Sequence, residues 1–208
     1  MDETINVESA PGAPFVSERR PEPCAMVIFG ATGDLARRKL IPGLYNLAKD
    51  GLLPDACRVV ALGRSVDDAT AYRALLKEST EKFSRTKVDP AVWDALAARI
   101  SYVKGDLDDP TTYNELRREL ERVDAEGPRG NRLYYFSVQP SAFPTILGRL
   151  REFGLIYAHD DEAGAGPWSR IMIEKPFGRD LVSAKALNKM AASFLDEKQI
   201  FRIDHYLG

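Results

Sequence analysis

Short, near-continuous apolar runs alternate with helix-period stretches from residue 25 to the end of the chain. Ala25 to Phe29, Arg58 to Gly63, Ile100 to Val103, Leu133 to Val138, Arg170 to Glu174 and Gln199 to Ile203 read as six strands. Between them, Leu35 to Lys49 has helical spacing, with Pro42 expected to kink or split it and Gly51 to stop it. Asp67 or Asp68 is placed to cap a helix to about Phe83, and Asp89-Pro90 to open one to about Arg99. Asp109-Pro110 starts another through about Arg122. Phe143 to Phe153 carries apolar residues at 143, 146, 147 and 150, and Leu181 to Leu195 completes the set. Glu126 to Asn131 and His159 to Ser169 read as loops. Strands that are apolar throughout are buried on both faces. The alternation therefore predicts an α/β fold: a Rossmann-type doubly wound, mainly parallel six-stranded sheet with helices on both faces.

Composition narrows the partners. The chain has 208 residues, 29 Lys plus Arg against 31 Asp plus Glu, and a formal charge of −2. Nothing in that balance points to nucleic-acid or membrane binding, and no apolar run approaches the roughly 20 residues of a membrane span. Residues 1–23, rich in Glu, Pro and Ser, read as a disordered tail before a domain over 24–208. Arg19-Arg20 precedes no apolar segment, so a twin-arginine export signal is not expected. Cys24 and Cys57 lack C-x-x-C or metal-ligand spacing and read as two reduced thiols in a cytoplasmic protein.

The first predicted strand runs into Gly30-Ala-Thr-Gly-Asp-Leu-Ala36 and then into a helix. A strand, a glycine turn and a helix start form an anion site. The turn exposes backbone N–H groups, the helix start adds partial positive charge, and absent Cβ atoms let a phosphate approach. The spacing is G-x-x-G-x-x-A, one residue longer in the turn than the common G-x-G-x-x-G/A. No Gly-Lys-Ser/Thr follows, so this is not a P-loop.

Ligands of such sheets bind beyond the carboxyl ends of the strands. After strand two stand Arg64 and Ser65, suited to the 2′-phosphate of NADP, with Asp67 and Asp68 as carboxylates able to take a ribose hydroxyl instead. Asp106 and Leu107 follow strand three on the adenosine side. Ser137-Val-Gln-Pro-Ser141 follows strand four, where the nicotinamide half belongs. Lys175, held by Pro176 after strand five, is placed for a substrate hydroxyl or the nicotinamide carboxamide. After strand six, Asp204 and His205 are neighbours pointing to opposite sides, so Asp204 orients another base while His205 and Tyr206 face a different ligand group. His159 reads as inert.

Phe29-Gly-Ala-Thr-Gly-Asp-Leu-Ala36, Gly63-Arg-Ser65, Glu174-Lys-Pro-Phe-Gly178 and Arg202-Ile-Asp-His-Tyr-Leu-Gly208 together resemble the coenzyme domain of glucose-6-phosphate dehydrogenases, over about residues 24–208. The resemblance implies NADP-dependent oxidation of D-glucose 6-phosphate to 6-phospho-D-glucono-1,5-lactone, opening the pentose phosphate pathway. It implies that Gly30, Ala31, Thr32, Gly33, Asp34 and Leu35 cradle the pyrophosphate and that Arg64, with Ser65, holds the 2′-phosphate. Asp106 and Leu107 match a coenzyme-contacting pair, Lys175 touches coenzyme and sugar, His205 and Tyr206 bind the sugar phosphate, and Asp204 orients the catalytic histidine. No metal is implied. Thr32 stands where serine is frequent, and Gln139-Pro140 where Pro-Pro is frequent.

Family members continue beyond Tyr-Leu-Gly with Lys-Glu into a large second domain. That part supplies the base histidine, further substrate contacts and the interface of a homo-oligomer. The resemblance therefore implies a fragment without activity of its own, since hydride loss from C1 needs a base for the hydroxyl proton. A stand-alone NADP-binding module is the alternative. A sugar epimerase would need a Tyr-x-x-x-Lys pair on a suitable helix, and Tyr45 and Lys49 lie in the first helix beside the glycine turn.

Overall fold

Six parallel strands line up in the order β3-β2-β1-β4-β5-β6 in the computed structural model, which describes residues 21–157, 166–175 and 181–203. They are β1 (Ala25–Phe29), β2 (Arg58–Gly63), β3 (Ile100–Lys104), β4 (Arg132–Phe136), β5 (Ser169–Glu174) and β6 (Ile200–Ile203). This is the Rossmann strand order, and its switch point lies between β1 and β4. The tail expected over residues 1–23 falls mostly outside the described residues, as do Pro176 to Gly178 and Asp204 to Gly208.

The alternation of side chains along β1 divides the core into two clusters. Val27 and Phe29 pack on one face with Val60, Leu62, Tyr134 and Phe136, under α4 (Pro110–Asp124), α5 (Phe143–Glu152) and α6 (Leu181–Phe194). Ile28 packs on the other with Val59, Ala61 and Tyr135, under α1 (Ile41–Lys49), α2 (Ala69–Phe83) and α3 (Pro90–Ala97). Helices thus cover both faces, and the chain crosses from one face to the other between β3 and β4.

Local chemistry sets the helix starts. The Asp68 carboxylate accepts from the Ala71 N–H at 2.8 Å and caps α2, which decides between the two candidate caps. Asp89 and Asp109 cap α3 and α4 in the same way, each followed by proline at the first helical position. The stretch 35–49 is split as Pro42 led one to expect, with Pro42 in the first turn of α1. A π-type turn over Ala36–Leu40, in which the Ile41 N–H reaches the Ala36 carbonyl, precedes α1 and accommodates a residue that lacks an N–H. β4 starts one residue and ends two residues earlier than its apolar run, and Pro140–Ala142 beyond it form a 3-10 turn.

One buried ion pair ties the base of the sheet together. Arg132, 5% exposed at the start of β4, donates to the Asp124 carboxylate at the end of α4 through both terminal guanidinium nitrogens, Nη1 at 2.6 Å. Asp124 also accepts the Gly130 N–H at 3.0 Å. Asp124→Ala strands a buried guanidinium and is expected to cost about 3 kcal/mol in urea unfolding, more than Arg132→Met, which removes the charge itself. A loss below about 1 kcal/mol would place the pair with ordinary surface bridges.

Candidate functional site

The loop after β1 is fixed from both sides. The Ala31 N–H donates to the Leu62 carbonyl of β2 at 2.9 Å, and the Ser137 N–H donates to the Phe29 carbonyl at 3.0 Å. Gly30 has φ +77°, and a Cβ there would lie 2.3 Å from the Ser137 carbonyl oxygen. No L side chain fits that position. The Gly33 N–H closes the turn onto the Gly30 carbonyl at 2.9 Å, and a Cβ on Gly33 would crowd that oxygen at 3.0 Å. Among the described turn bonds none is donated by the amides of Thr32, Asp34 or Leu35, which stand at the helix start as donors.

Two clefts open on either side of this loop, at the carboxyl end of the sheet. The first, of about 440 Å³, is lined by Gly30, Thr32, Gly33 and the β2 end on one side and by Gly105 to Asp108 on the other. The second, of about 580 Å³, runs from Gly33, Asp34 and Leu35 past Gln139 and Pro140 to Glu174 and Lys175. Gly33, Arg64, Leu107, Ser137, Val138 and Ala142 belong to both, so the clefts form one crevice across the switch point. An elongated ligand with an anionic middle fits that shape.

Charge is concentrated at the end of β2. The Arg64 side chain is 74% exposed and donates to the Asp106 carboxylate at 3.0 Å across the first cleft. The Asp108 N–H, then Arg64, hold the Asp106 carboxyl below its ordinary range. Thr32 and Ser65 hydroxyls meet at 3.3 Å, joining the glycine loop to the same strand end. Asp67 is drawn to Lys104 at 2.7 Å, which lowers its carboxyl pKa, and Asp68 caps α2. Both carboxylates that competed with Arg64 in the sequence are therefore engaged elsewhere.

At the other end, Glu174 accepts from the buried Tyr135 hydroxyl, and the Lys175 N–H donates to the Ile203 carbonyl at 3.1 Å. These bonds fix the β5 terminus from two neighbouring strands. Among the described residues, no group of three or more His, Cys, Asp or Glu is arranged to hold a metal ion, and no helix is long and apolar enough to cross a membrane.

The structure brings Gly30, Thr32, Gly33, Asp34, Leu35, Arg64, Ser65, Asp106, Leu107 and Lys175 to this crevice. It does not bring Ala31, which is fully buried with its N–H on Leu62 and its carbonyl accepting from Tyr72 at 3.0 Å. Asp204, His205 and Tyr206 lie outside the described residues. The turn after β4 serves both halves of the crevice rather than one, with Ser141 and Thr145 on the Arg64 side. Thr145 had no sequence signal, because a helical threonine near a strand end has no distinguishing neighbours. Ser137 had only its position, and its hydroxyl is buried without a partner among the described residues.

The chain matches the family described as "Glucose-6-phosphate dehydrogenase, NAD binding domain" over residues 27–208. It is 42% identical over 193 residues to a glucose-6-phosphate 1-dehydrogenase of Chlamydia pneumoniae, covering 92% of this chain and 37% of that protein. The crystal structure of glucose-6-phosphate 1-dehydrogenase from Mycobacterium avium superposes with a TM-score of 0.75 at 33% identity, over 89% of this chain and 36% of that one. A glucose-6-phosphate dehydrogenase solved in complex with its substrate glucose-6-phosphate gives 0.75 at 31% identity, over 89% and 37%. The chain thus spans little more than a third of the length of these relatives.

The loop geometry has a direct test. Gly30→Ala is expected to destabilise by at least about 2 kcal/mol in urea unfolding, through its positive φ and the Ser137 contact. Gly43→Ala, with nothing within 4 Å of the added Cβ in α1, is expected to stabilise by about 0.5–1 kcal/mol. Equal effects from the two would contradict the close approach.

Proposed function

The chain belongs to the glucose-6-phosphate dehydrogenase family, through its NAD-binding domain, and from that premise we propose that residues 24–208 form the coenzyme domain of an NADP-dependent enzyme oxidising D-glucose 6-phosphate to 6-phospho-D-glucono-1,5-lactone. Arg64 carries the NADP reading. It stands exposed at the β2 terminus, where a carboxylate would favour the ribose hydroxyls of NAD. Of the nearby carboxylates, Asp67 is engaged by Lys104 and Asp68 by the α2 cap, while Asp106 pairs with Arg64 itself. A guanidinium offers a 2′-phosphate two parallel, charge-assisted bonds.

The residues fit such a ligand elsewhere too. The space a Cβ on Gly30 or Gly33 would fill, together with the Thr32, Asp34 and Leu35 amides, suits a pyrophosphate at a helix start. Leu107 lines the adenosine end, with Asp106 holding Arg64 across it. When bound, the nicotinamide supplies the hydride acceptor for C1 of the sugar. Lys175 then donates hydrogen bonds toward the sugar and the carboxamide from a strand end fixed by Ile203 and Glu174. By the same reading His205 and Tyr206 hold the sugar phosphate and Asp204 orients the base that takes the hydroxyl proton.

Calorimetric titration of NADP and NAD into the chain and into Arg64→Ala tests this. NADP affinity is expected to fall by about 10–100-fold in the variant, as for a lost charge-assisted pair, with NAD changed less than about threefold. Parallel losses for both coenzymes would remove Arg64 from the 2′-phosphate.

A further inference from the structure

Cys24 and Cys57 are 33 positions apart in sequence but neighbours in the sheet. Ala25 and Arg58 are register partners on β1 and β2, and the cysteines are the residues immediately before them. The Arg58 N–H donates to the Cys24 carbonyl at 3.1 Å, so the register extends to the cysteine pair. Alternation puts both side chains on one face, the face that carries Ile28, Val59 and Ala61. Neighbouring parallel strands lie about 4.8 Å apart, within the Cα separation a disulfide spans.

Both cysteines are free thiols, Cys57 only 9% exposed and Cys24 half-buried. The two thiols lie close enough to perturb each other. The neighbouring Cys24, with Arg99 and Arg58 nearby, outweighs burial and lowers the Cys57 thiol to about 7. Cys57 in turn raises Cys24, as does burial. One sulfur is thus the more easily ionised partner and the other keeps its proton, the arrangement of an attacking and a resolving thiol. The pair lies at the amino end of the sheet, opposite the crevice.

We propose that Cys24 and Cys57 form a reversible oxidation site that closes to an intramolecular disulfide with a small hydroperoxide. The Cys57 thiolate attacks one peroxide oxygen, the O–O bond breaks, and with hydrogen peroxide the departing oxygen leaves as water, giving a sulfenic acid on Cys57. The Cys24 sulfur then attacks that sulfur, the S–O bond breaks, and a second water leaves. Two thiols are oxidised and one peroxide is reduced to two waters, so no other co-reactant is needed. A dithiol reductant reverses the step.

The test is hydrogen peroxide treatment of the whole chain at neutral pH, followed by intact mass, thiol titration and non-reducing peptide mapping. The expected result is loss of the mass of two hydrogens, simultaneous loss of both thiols, a Cys24–Cys57 cross-linked peptide, and full recovery with dithiothreitol. The urea unfolding midpoint of the oxidised chain should also rise, since the bond closes a loop from 24 to 57. Cys24→Ser should retain a sulfenic acid on Cys57 that dimedone traps, and Cys57→Ser should slow oxidation at least about tenfold. Stepwise addition of oxygen to either cysteine, disulfide-linked dimers, or two independently oxidised thiols in the unmutated chain would overturn the proposal, whether or not the serine variants fold.

Discussion

The crevice depends on the close approach of Gly30 to the Ser137 carbonyl. Gly30 sits where the chain leaves β1 and must pass the end of β4 without a side chain, because a Cβ would be 2.3 Å from the Ser137 oxygen. The same loop is bonded to β2 through Ala31 and Leu62, and β4 is bonded back to β1 through Ser137 and Phe29. The glycine turn is therefore held by the sheet on both sides. Its shape is set before any ligand arrives, so little ordering entropy remains to be lost on binding.

From that fixed point the crevice extends in two chemically different directions. Toward β2 and β3 it ends in exposed charge, where Arg64 and Asp106 face each other with solvent access. An exposed pair of this kind adds little to folding stability, and it leaves both charged groups accessible from the crevice. Toward β5 it ends in a strand terminus whose backbone is fixed by Ile203 and whose Glu174 meets Tyr135, with Lys175 exposed at its end. The anion-binding turn lies between the two ends.

Much of this was legible in the sequence because burial on both faces leaves an unambiguous pattern. Ala25–Phe29 and Arg58–Gly63 are strands as the apolar runs required, and the Asp-Pro steps at 89 and 109 start helices where they should. What escaped depends on contacts between distant segments. Asp68 rather than Asp67 caps α2, and Asp67 meets Lys104, 37 residues away, a contact no local spacing encodes. Ala31 matched the motif, yet its polar groups are spent on Leu62 and Tyr72. That Cys24 and Cys57 are neighbours follows from the β1–β2 pairing and its register, which no local spacing encodes. Pro42 marked the split of its helical stretch, but the π-type character of the part before it left no sequence signal.

The central claim is that this chain holds a dinucleotide across the switch point with the glycine turn at its middle. Hydrogen–deuterium exchange of the chain with and without NADP tests it most directly. The account predicts slowed exchange at the amides of residues 30–35, at 63–65 and at 105–107, with residues 126–131 at the opposite end of the sheet unchanged. Protection centred on the opposite end, or saturating NADP that leaves residues 30–35 exchanging at their free rate, would contradict it.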